Sequence, residues 1–317
     1  MIVSWNVADL LARCLESVLA SAAVPLRVVV VDNASTDGSP DMVEARFPEV
    51  DLVVNGDNVG FTRATNQGLR RLGALVAHDP QGPDTVVLLN PDTEVEGDAV
   101  ATLVGYLRAH SAAGAAGPLL LWPDGAVQSS RRRFPGLLTA LLESTPLEWH
   151  WPGNPVARRF RMSGVALASG PVDWVTGAAL ALRTAALREV GGLDEGFFMY
   201  SEELDLCRRL KSAGWETHFV PGARVIHHEG KSSEQAAGRR HIEFQRSKVR
   251  YYRKYHGRGA AAVVRAGILG EFALELGLEA AKLAVGHKPE VRRRRVADYR
   301  RILADGLAAR DLGEGAT

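Results

Sequence analysis

Cysteine is almost absent from this 317-residue sequence. Two thiols, Cys14 and Cys207, exclude a disulfide scaffold and a cysteine-rich zinc site. Both lie in helix-like stretches, where a free thiol is expected to be a small buried apolar group. An excess of one charge is also lacking. Lys and Arg number 38 against 37 Asp and Glu, a net charge of +1. This excludes the strong basic excess of a dedicated nucleic-acid binder. No run reaches the roughly 18 uninterrupted apolar residues of a membrane-spanning helix. Residues 1–10 have neither the basic stretch nor the apolar core of a secretory leader, so a cytoplasmic protein is expected, with peripheral membrane contact left open. There is no GxxxxGK[ST] or GxGxxG phosphate loop, no GxSxG elbow and no HExxH, which sets aside P-loop NTPases, dinucleotide dehydrogenases, α/β-hydrolases and common zinc proteases. What remains is an ordinary globular composition, 46% hydrophobic and 24% charged. The chain is long enough for a full core in one large or two modest domains.

The first 120 residues alternate strand and helix signals. Residues 1–5 are a short apolar run, and 7–20 have helical spacing through Leu10, Leu11, Cys14, Leu15 and Val18. RVVVV at 27–31 and TVVLL at 85–89 read as buried strands, with a further strand at 50–55 and helices at 40–47 and 60–72. Such alternation predicts an α/β fold with a parallel sheet covered by helices. Ligands then lie beyond the carboxyl ends of the strands. Residues 118–172 are irregular. Residues 174–190 read as helical after Gly177, 202–213 as helical, and 218–226 as a strand ending in His227-His228-Glu229-Gly230. Residues 231–260 are basic and polar, and 261–317 read as two helices split at 286–289.

Four clusters carry chemistry. The polar turn after RVVVV holds Asp32, Asn33, Ser35, Thr36 and Asp37, suited either to a nucleotide's base and ribose or to capping the next helix. Asn90-Pro91-Asp92 places a carboxylate in a rigid turn at a strand end, fit for a hard cation that bridges phosphates, or again a cap. Glu202, Glu203 and Asp205 open a helix behind the aromatic stretch 197–200. Acids there favour the helix dipole; a general base beside an apolar wall is the functional alternative. His227 and His228 follow a strand end, as surface residues or as metal ligands.

In order along the chain, Ser4-Trp5-Asn6, Asp32-Asn33-Ala34-Ser35-Thr36-Asp37-Gly38-Ser39, Asn58-Val59-Gly60-Phe61, Leu89-Asn90-Pro91-Asp92-Thr93, Pro123-Asp124-Gly125, Gly191-Gly192-Leu193-Asp194, the 202–209 segment and Val225-Ile226-His227-His228 resemble the family-2 inverting glycosyltransferases of GT-A fold. The resemblance spans residues 2 to about 256 and is strongest to bacterial rhamnosyltransferases that use dTDP-L-rhamnose. It implies a mostly parallel central sheet flanked by helices, with a catalytic domain at 1–258 (a nucleotide-binding half, 1–120, and an acceptor half, 121–258) and a helical extension at 259–317.

The roles it implies are these. Trp5 stacks on a pyrimidine, with Ser4, Asn6, Asp32, Asn33 and Asp37 around the nucleotide. Asn90, Pro91, Arg63 and Asn66 complete that site. Asp92 and His227 hold Mg²⁺ or Mn²⁺ against the diphosphate. Glu203 is the base, supported by Glu202 and Asp205, with Asp205 also able to pair with Arg208 or Arg209. The implied partners are a nucleotide-sugar donor and a glycan or lipid-linked saccharide acceptor, in polysaccharide synthesis at the inner face of the membrane. A UDP-hexose donor and a non-catalytic sugar-nucleotide-binding protein are the alternatives left open. In the tail, Val264, Ile268, Phe272 and Leu276 form an apolar face, and Glu271, Glu275 and Glu279 are expected to mark the charged, outward one. That helix would pack on the catalytic domain, form a dimer contact, or dock on a membrane with help from Arg292, Arg293, Arg294 and Arg295.

Overall fold

The computed structural model describes residues 1–21, 24–76, 82–228 and 237–308, so Glu229, Gly230, the 231–236 stretch of the basic segment and the last residues of the tail lie outside it. The chain folds as two compact units. The first comprises residues 1–134, 161–198 and the stretch from Glu202 through the last strand; the second comprises 135–160, 199–201 and the C-terminal helices. The division expected at 258/259 is therefore not where the structure divides. The second unit takes in a helical insertion and begins earlier.

In the first unit the order is β1 (Ile2–Ser4), α1 (Ala8–Ala20), β2 (Val29–Asp32), α2 (Ser39–Arg46), β3 (Asp51–Val54), α3 (Phe61–Arg71), β4 (Thr85–Leu89), β5 (Thr93–Glu96), α4 (Ala99–Ala109), β6 (Ala113–Leu121), β7 (Val127–Gln128) and β8 (Arg131–Arg132). After the second unit's α5 (Leu137–Leu142), α6 (Pro146–His150) and α7 (Pro155–Phe160), the first resumes with β9 (Gly170–Val172), β10 (Trp174–Val175), β11 (Ala179–Arg183), α8 (Thr184–Val190), α9 (Glu202–Ser212) and β12 (Glu216–His227). The central sheet runs β3-β2-β1-β4-β11-β6-β12-β5. β1, β2, β3 and β4 are parallel, β11 is antiparallel to both β4 and β6, and β12 is parallel to β6. The carboxyl ends of β1, β2, β4 and β12 consequently open along one edge.

Local sequence explains most of these elements. VVVD of β2 is buried at every position, as a strand covered on both faces requires. α1 buries Leu11, Cys14, Leu15 and Val18 against that sheet, and both cysteines are fully buried. Burial pushes the Cys14 thiol up to about 11 and that of Cys207 to about 12, so both are inert apolar fillers. α3 starts at Gly60, whose φ of 90° and contact with Phe198 leave no room for a Cβ.

The segment 174–190 departs from the expected helix: it is strand, strand and then a short helix. β11 inserts between β4 and β6 and is buried at Ala179, Leu180, Ala181 and Leu182, so neither face is polar and no two-residue period shows. Alanine and leucine then read as helix formers, and cross-strand pairing overrides that preference.

The second unit ends in a long helix, α10 (Ala237–Ala284), broken by a non-helical Gly257, and α11 (Pro289–Asp305). Val264, Ile268 and Phe272 of α10 and Val296, Tyr299 and Ile302 of α11 are buried, with the Phe272 and Tyr299 rings 5.6 Å apart. Two of the three acids of the expected charged face are turned inward, and Glu271 is half-buried. Glu275 and Glu279 are 5% and 1% exposed. Glu279 accepts from Arg292 at 2.5 Å and from Lys282 at 3.1 Å, and Glu275 lies 2.5 Å from His150 Nε2. Burial alone would raise the Glu279 carboxyl, but these cations outweigh it and hold it below the ordinary range.

Candidate active site

The β1 and β2 ends are laced together. Asn33 N–H donates to Ser4 O at 2.8 Å and Asn6 N–H to Ser35 Oγ at 2.8 Å, while Asn6 Oδ1 accepts from Thr36 N at 2.7 Å. Asp32 is buried and accepts both the Ser35 amide and its hydroxyl, at 2.8 and 2.6 Å. Asn33 is buried too, donating to Gly60 O and accepting from Asn55. Asp37 braces the turn to α1, taking Ala8 N–H at 2.8 Å on one oxygen and the Ser39 hydroxyl at 2.5 Å on the other. Burial pushes its carboxyl up, but these donors more than compensate and lower it. Trp5 is half-buried and follows the buried Ser4, whose hydroxyl has no hydrogen-bond partner. A cleft of about 430 Å³ lies here between Asn6, Ala8, Arg13, Asp37 and His228. It joins the ends of β1, β2 and β12.

The turn after β4 is fixed by the buried Pro91 and by Thr93, which donates to Asn90 O from its hydroxyl at 2.7 Å. Asp92 is 4% exposed, and its Oδ1 is buried without a hydrogen-bond partner. The β12–β5 register sets His227 opposite Thr93, and His228 N–H donates to Asp92 O at 2.9 Å. His227 Nε2 lies 3.4 Å from Asp92 Oδ1. Its Nδ1 is 2.9 Å from Oε1 of Gln128, a residue buried at the end of β7. A neutral ring whose Nδ1–H donates to Gln128 would turn its Nε2 lone pair toward the carboxylate. In that tautomer two acceptors would face each other in a buried place and fit a divalent cation. Among the described residues no group of three or more His, Cys, Asp or Glu could hold a metal ion. Gln128 escaped the sequence reading, because its only signal is a contact across 99 residues.

Three acids open α9, and they divide. Asp205 is 0% exposed and bonds Arg209 Nε at 2.8 Å; Arg209 in turn holds Val190 O and Gly192 O, each at 2.7 Å. Asp205 is thus a brace for the loop before the helix, with Arg209 as its partner. Glu203 Oε1 accepts Gly177 N–H at 3.2 Å, and its Oε2 is buried with no hydrogen-bond partner. The next residue, Ala178, accepts Asn90 N–H at 2.9 Å, so Glu203 is tied through two residues to the turn that carries Asp92. Burial raises the Glu203 carboxyl, against the hydrogen bond from Gly177 and the charge of Arg132. Burial raises Glu202 well above its ordinary value, and the neighbouring charges of Glu203 and Asp205 add to it.

Asn66 is buried away from solvent and fully engaged. Its amide donates to Leu193 O and Glu195 at 2.9 Å each and accepts from Leu193 N at 3.0 Å. It braces the 191–195 loop, with Arg63 reaching the same Glu195 at 3.7 Å.

An open, mostly parallel α/β sheet with acid-bearing turns along one edge and a buried carboxylate tied to them is the architecture of a GT-A glycosyltransferase. The family model described as "Glycosyltransferase like family 2" matches residues 1–243, and the chain belongs to that family. It is 36% identical over 233 residues to an N-acetylglucosaminyl-diphospho-decaprenol L-rhamnosyltransferase of Mycobacterium tuberculosis, covering 73% of this chain and 76% of that one. It is 32% identical over 170 residues to the rhamnosyltransferase WbbL of Escherichia coli K12, covering 52% and 61%. In fold it is similar to the mannosyltransferase PcManGT of Pyrobaculum calidifontis, solved with GDP-Man and Mn²⁺, at a TM-score of 0.55 and 18% identity, covering 96% and 84%. It is also similar to GalNAc-T7, solved with UDP, GalNAc and Mn²⁺, at a TM-score of 0.51 and 17% identity, where 71% of this chain spans 42% of that one.

Proposed function

We propose that this glycosyltransferase moves L-rhamnose from dTDP-L-rhamnose to a hydroxyl of a glycan or lipid-linked saccharide, in the synthesis of a cell-surface polysaccharide at the inner face of the membrane. The rhamnosyltransferase relatives support the donor and the acceptor class. The single observation that carries the chemistry is Glu203, half-buried, with Oε2 buried and unpartnered, as Glu202 Oε2 also is, and with Oε1, unlike any oxygen of Glu202, held by the Gly177 amide beside the β4 turn. Glu203 accepts the proton of the acceptor hydroxyl as that oxygen attacks the anomeric carbon. The new glycosidic bond forms as the bond to the nucleoside diphosphate breaks on the opposite face, so the configuration inverts. Asp92 and His227 would hold Mg²⁺ or Mn²⁺, which supplies positive charge for the departing diphosphate. Trp5 and the β2 turn flank the nucleotide.

The test is a panel of nucleotide sugars. A donor bound only by the folded state raises its thermal midpoint. The largest rise is expected with dTDP-L-rhamnose, and release of dTDP should require an acceptor. A preference for UDP-sugars with indifference to dTDP would overturn the donor assignment.

A further inference from the structure

The apolar surface of this chain is unevenly shared. Among the described residues, the second unit carries ten of the sixteen exposed large apolar side chains, although it is the smaller unit. Charge is uneven as well. Residues 237–308 contain 17 Lys and Arg against 7 Asp and Glu, a net +10 hidden within a chain whose total is +1.

Most of that excess precedes the break at Gly257, where residues 237–258 carry 8 Lys and Arg against one Glu; residues 259–308, the α10–α11 hairpin beyond it, carry 9 against 6. Val263, Leu274, Leu278 and Val285 are 64%, 64%, 40% and 80% exposed. At 100° per residue they fall within an arc of about 60° and extend about 33 Å along the helix. Glu275 and Glu279 are turned inward, and the half-buried Glu271, about 20° beyond the edge of the stripe, accepts Leu147 N–H. From 263 to 285 every exposed residue is Ala, Gly, Val or Leu, apart from Arg265. On α6, Trp149 rests its ring against Phe272 and Tyr299 and is still 49% exposed; Trp151, just past the helix, is 55% exposed. α11 exposes Arg293, Arg294, Arg295, Arg300 and Arg301.

We infer that this hairpin is a docking surface for an anionic lipid bilayer. Its leucine and valine stripe enters the headgroup boundary, and the arginines of α11 meet lipid phosphates. Charge selects this occupant. A second copy of the chain would set the exposed arginines of α11 against like charge, whereas an anionic bilayer complements them. A nucleic acid would match the charge but leave the apolar stripe unused.

Flotation of the full chain tests the inference, using vesicles of phosphatidylcholine alone or mixed with phosphatidylglycerol. The wild-type chain should float only with the mixed vesicles. Binding should fall at least about tenfold in Leu274→Gln/Leu278→Gln and in Arg294→Glu/Arg300→Glu, with unchanged circular dichroism and thermal midpoint. Absence of the wild-type chain from both lipid fractions would overturn the inference. So would full binding by the leucine variant with loss in the arginine variant, which would mark a plain polyanion site to be followed with RNA. A dimer in sedimentation velocity, dissociated by the leucine variant with no lipid binding, would assign the stripe to a second copy instead. The vesicles carry neither donor nor acceptor, so failure here leaves the transfer reaction standing.

Discussion

Glu203→Gln keeps the side chain's shape and removes its basicity. The amide oxygen can take over the bond from Gly177 N–H, now 3.2 Å from Oε1. The new NH₂ falls where Oε2 has no partner, which costs about 1–3 kcal/mol as an unpaired buried group. Against this stands the relief of a buried carboxylate at any pH above its raised pKa. The two changes oppose each other, so the thermal midpoint should stay within about 4 °C of wild type. The rate should not. Loss of the base should lower kcat by about 10²–10⁴-fold, equivalent to about 2.7–5.4 kcal/mol at the transition state. Nucleoside diphosphate release in the presence of acceptor measures kcat, and calorimetry with the donor should show near-normal binding.

The pH profile gives a second reading of the same substitution. The base works only when unprotonated, so the rate rises with pH through the Glu203 pKa. Burial raises that pKa, so the acid limb should lie above the ordinary glutamate value of about 4.3, and the Glu203→Gln variant should lack it. Glu202 points about 100° away around the helix, so Glu202→Gln should cost less than about tenfold. Turnover of Glu203→Gln within tenfold of wild type refutes the assignment. A dead Glu202→Gln beside it would move the base back one residue.

Asp92→Ala should cost about 3 kcal/mol or more in kcat/KM and abolish any stimulation by Mn²⁺, whereas full turnover in excess EDTA would remove the metal from the reaction. Gln128→Leu frees the His227 ring from the partner on its Nδ1, so the Mn²⁺ concentration giving half-maximal thermal stabilisation should rise about 10–100-fold. Asp205→Asn removes the charge that Arg209 is bonded to at a fully buried position; urea unfolding should show a loss of about 3 kcal/mol, with kcat of the folded protein within tenfold of wild type.

The strands that carry the site were legible because each ends abruptly. VVVV stops at Asp32 and VVLL stops at Asn90-Pro91-Asp92, and both turns stand at the sheet edge expected of them. Less legible was how each polar side chain is used. Asn66 and Asp205 share motif segments with site residues, yet both are consumed in holding the 190–195 loop, through bonds to residues that sequence spacing cannot pair. The acids of α10 misled for a related reason. A four-residue repeat of Glu marks one helix face but not which way it looks, and His150 on α6 and Arg292 on α11 hold Glu275 and Glu279 inside. β11 was hidden by its own burial on both faces.

β11 has one more consequence. Ala179 pairs with Leu89, Ala178 holds Asn90, and Gly177 holds Glu203, three successive residues joining a strand, a turn and a helix. A register shift of one residue in an antiparallel pair exchanges the two faces of the strand. Inserting or deleting a single residue between 176 and 179 would therefore move the glutamate away from the β4 turn while leaving every side chain of the site in the sequence. This short stretch should be the part of the chain least tolerant of length change in a deletion library, far less so than the loops at 122–126 or 286–288. Variants recovered there should be folded, able to bind donor, and unable to turn over.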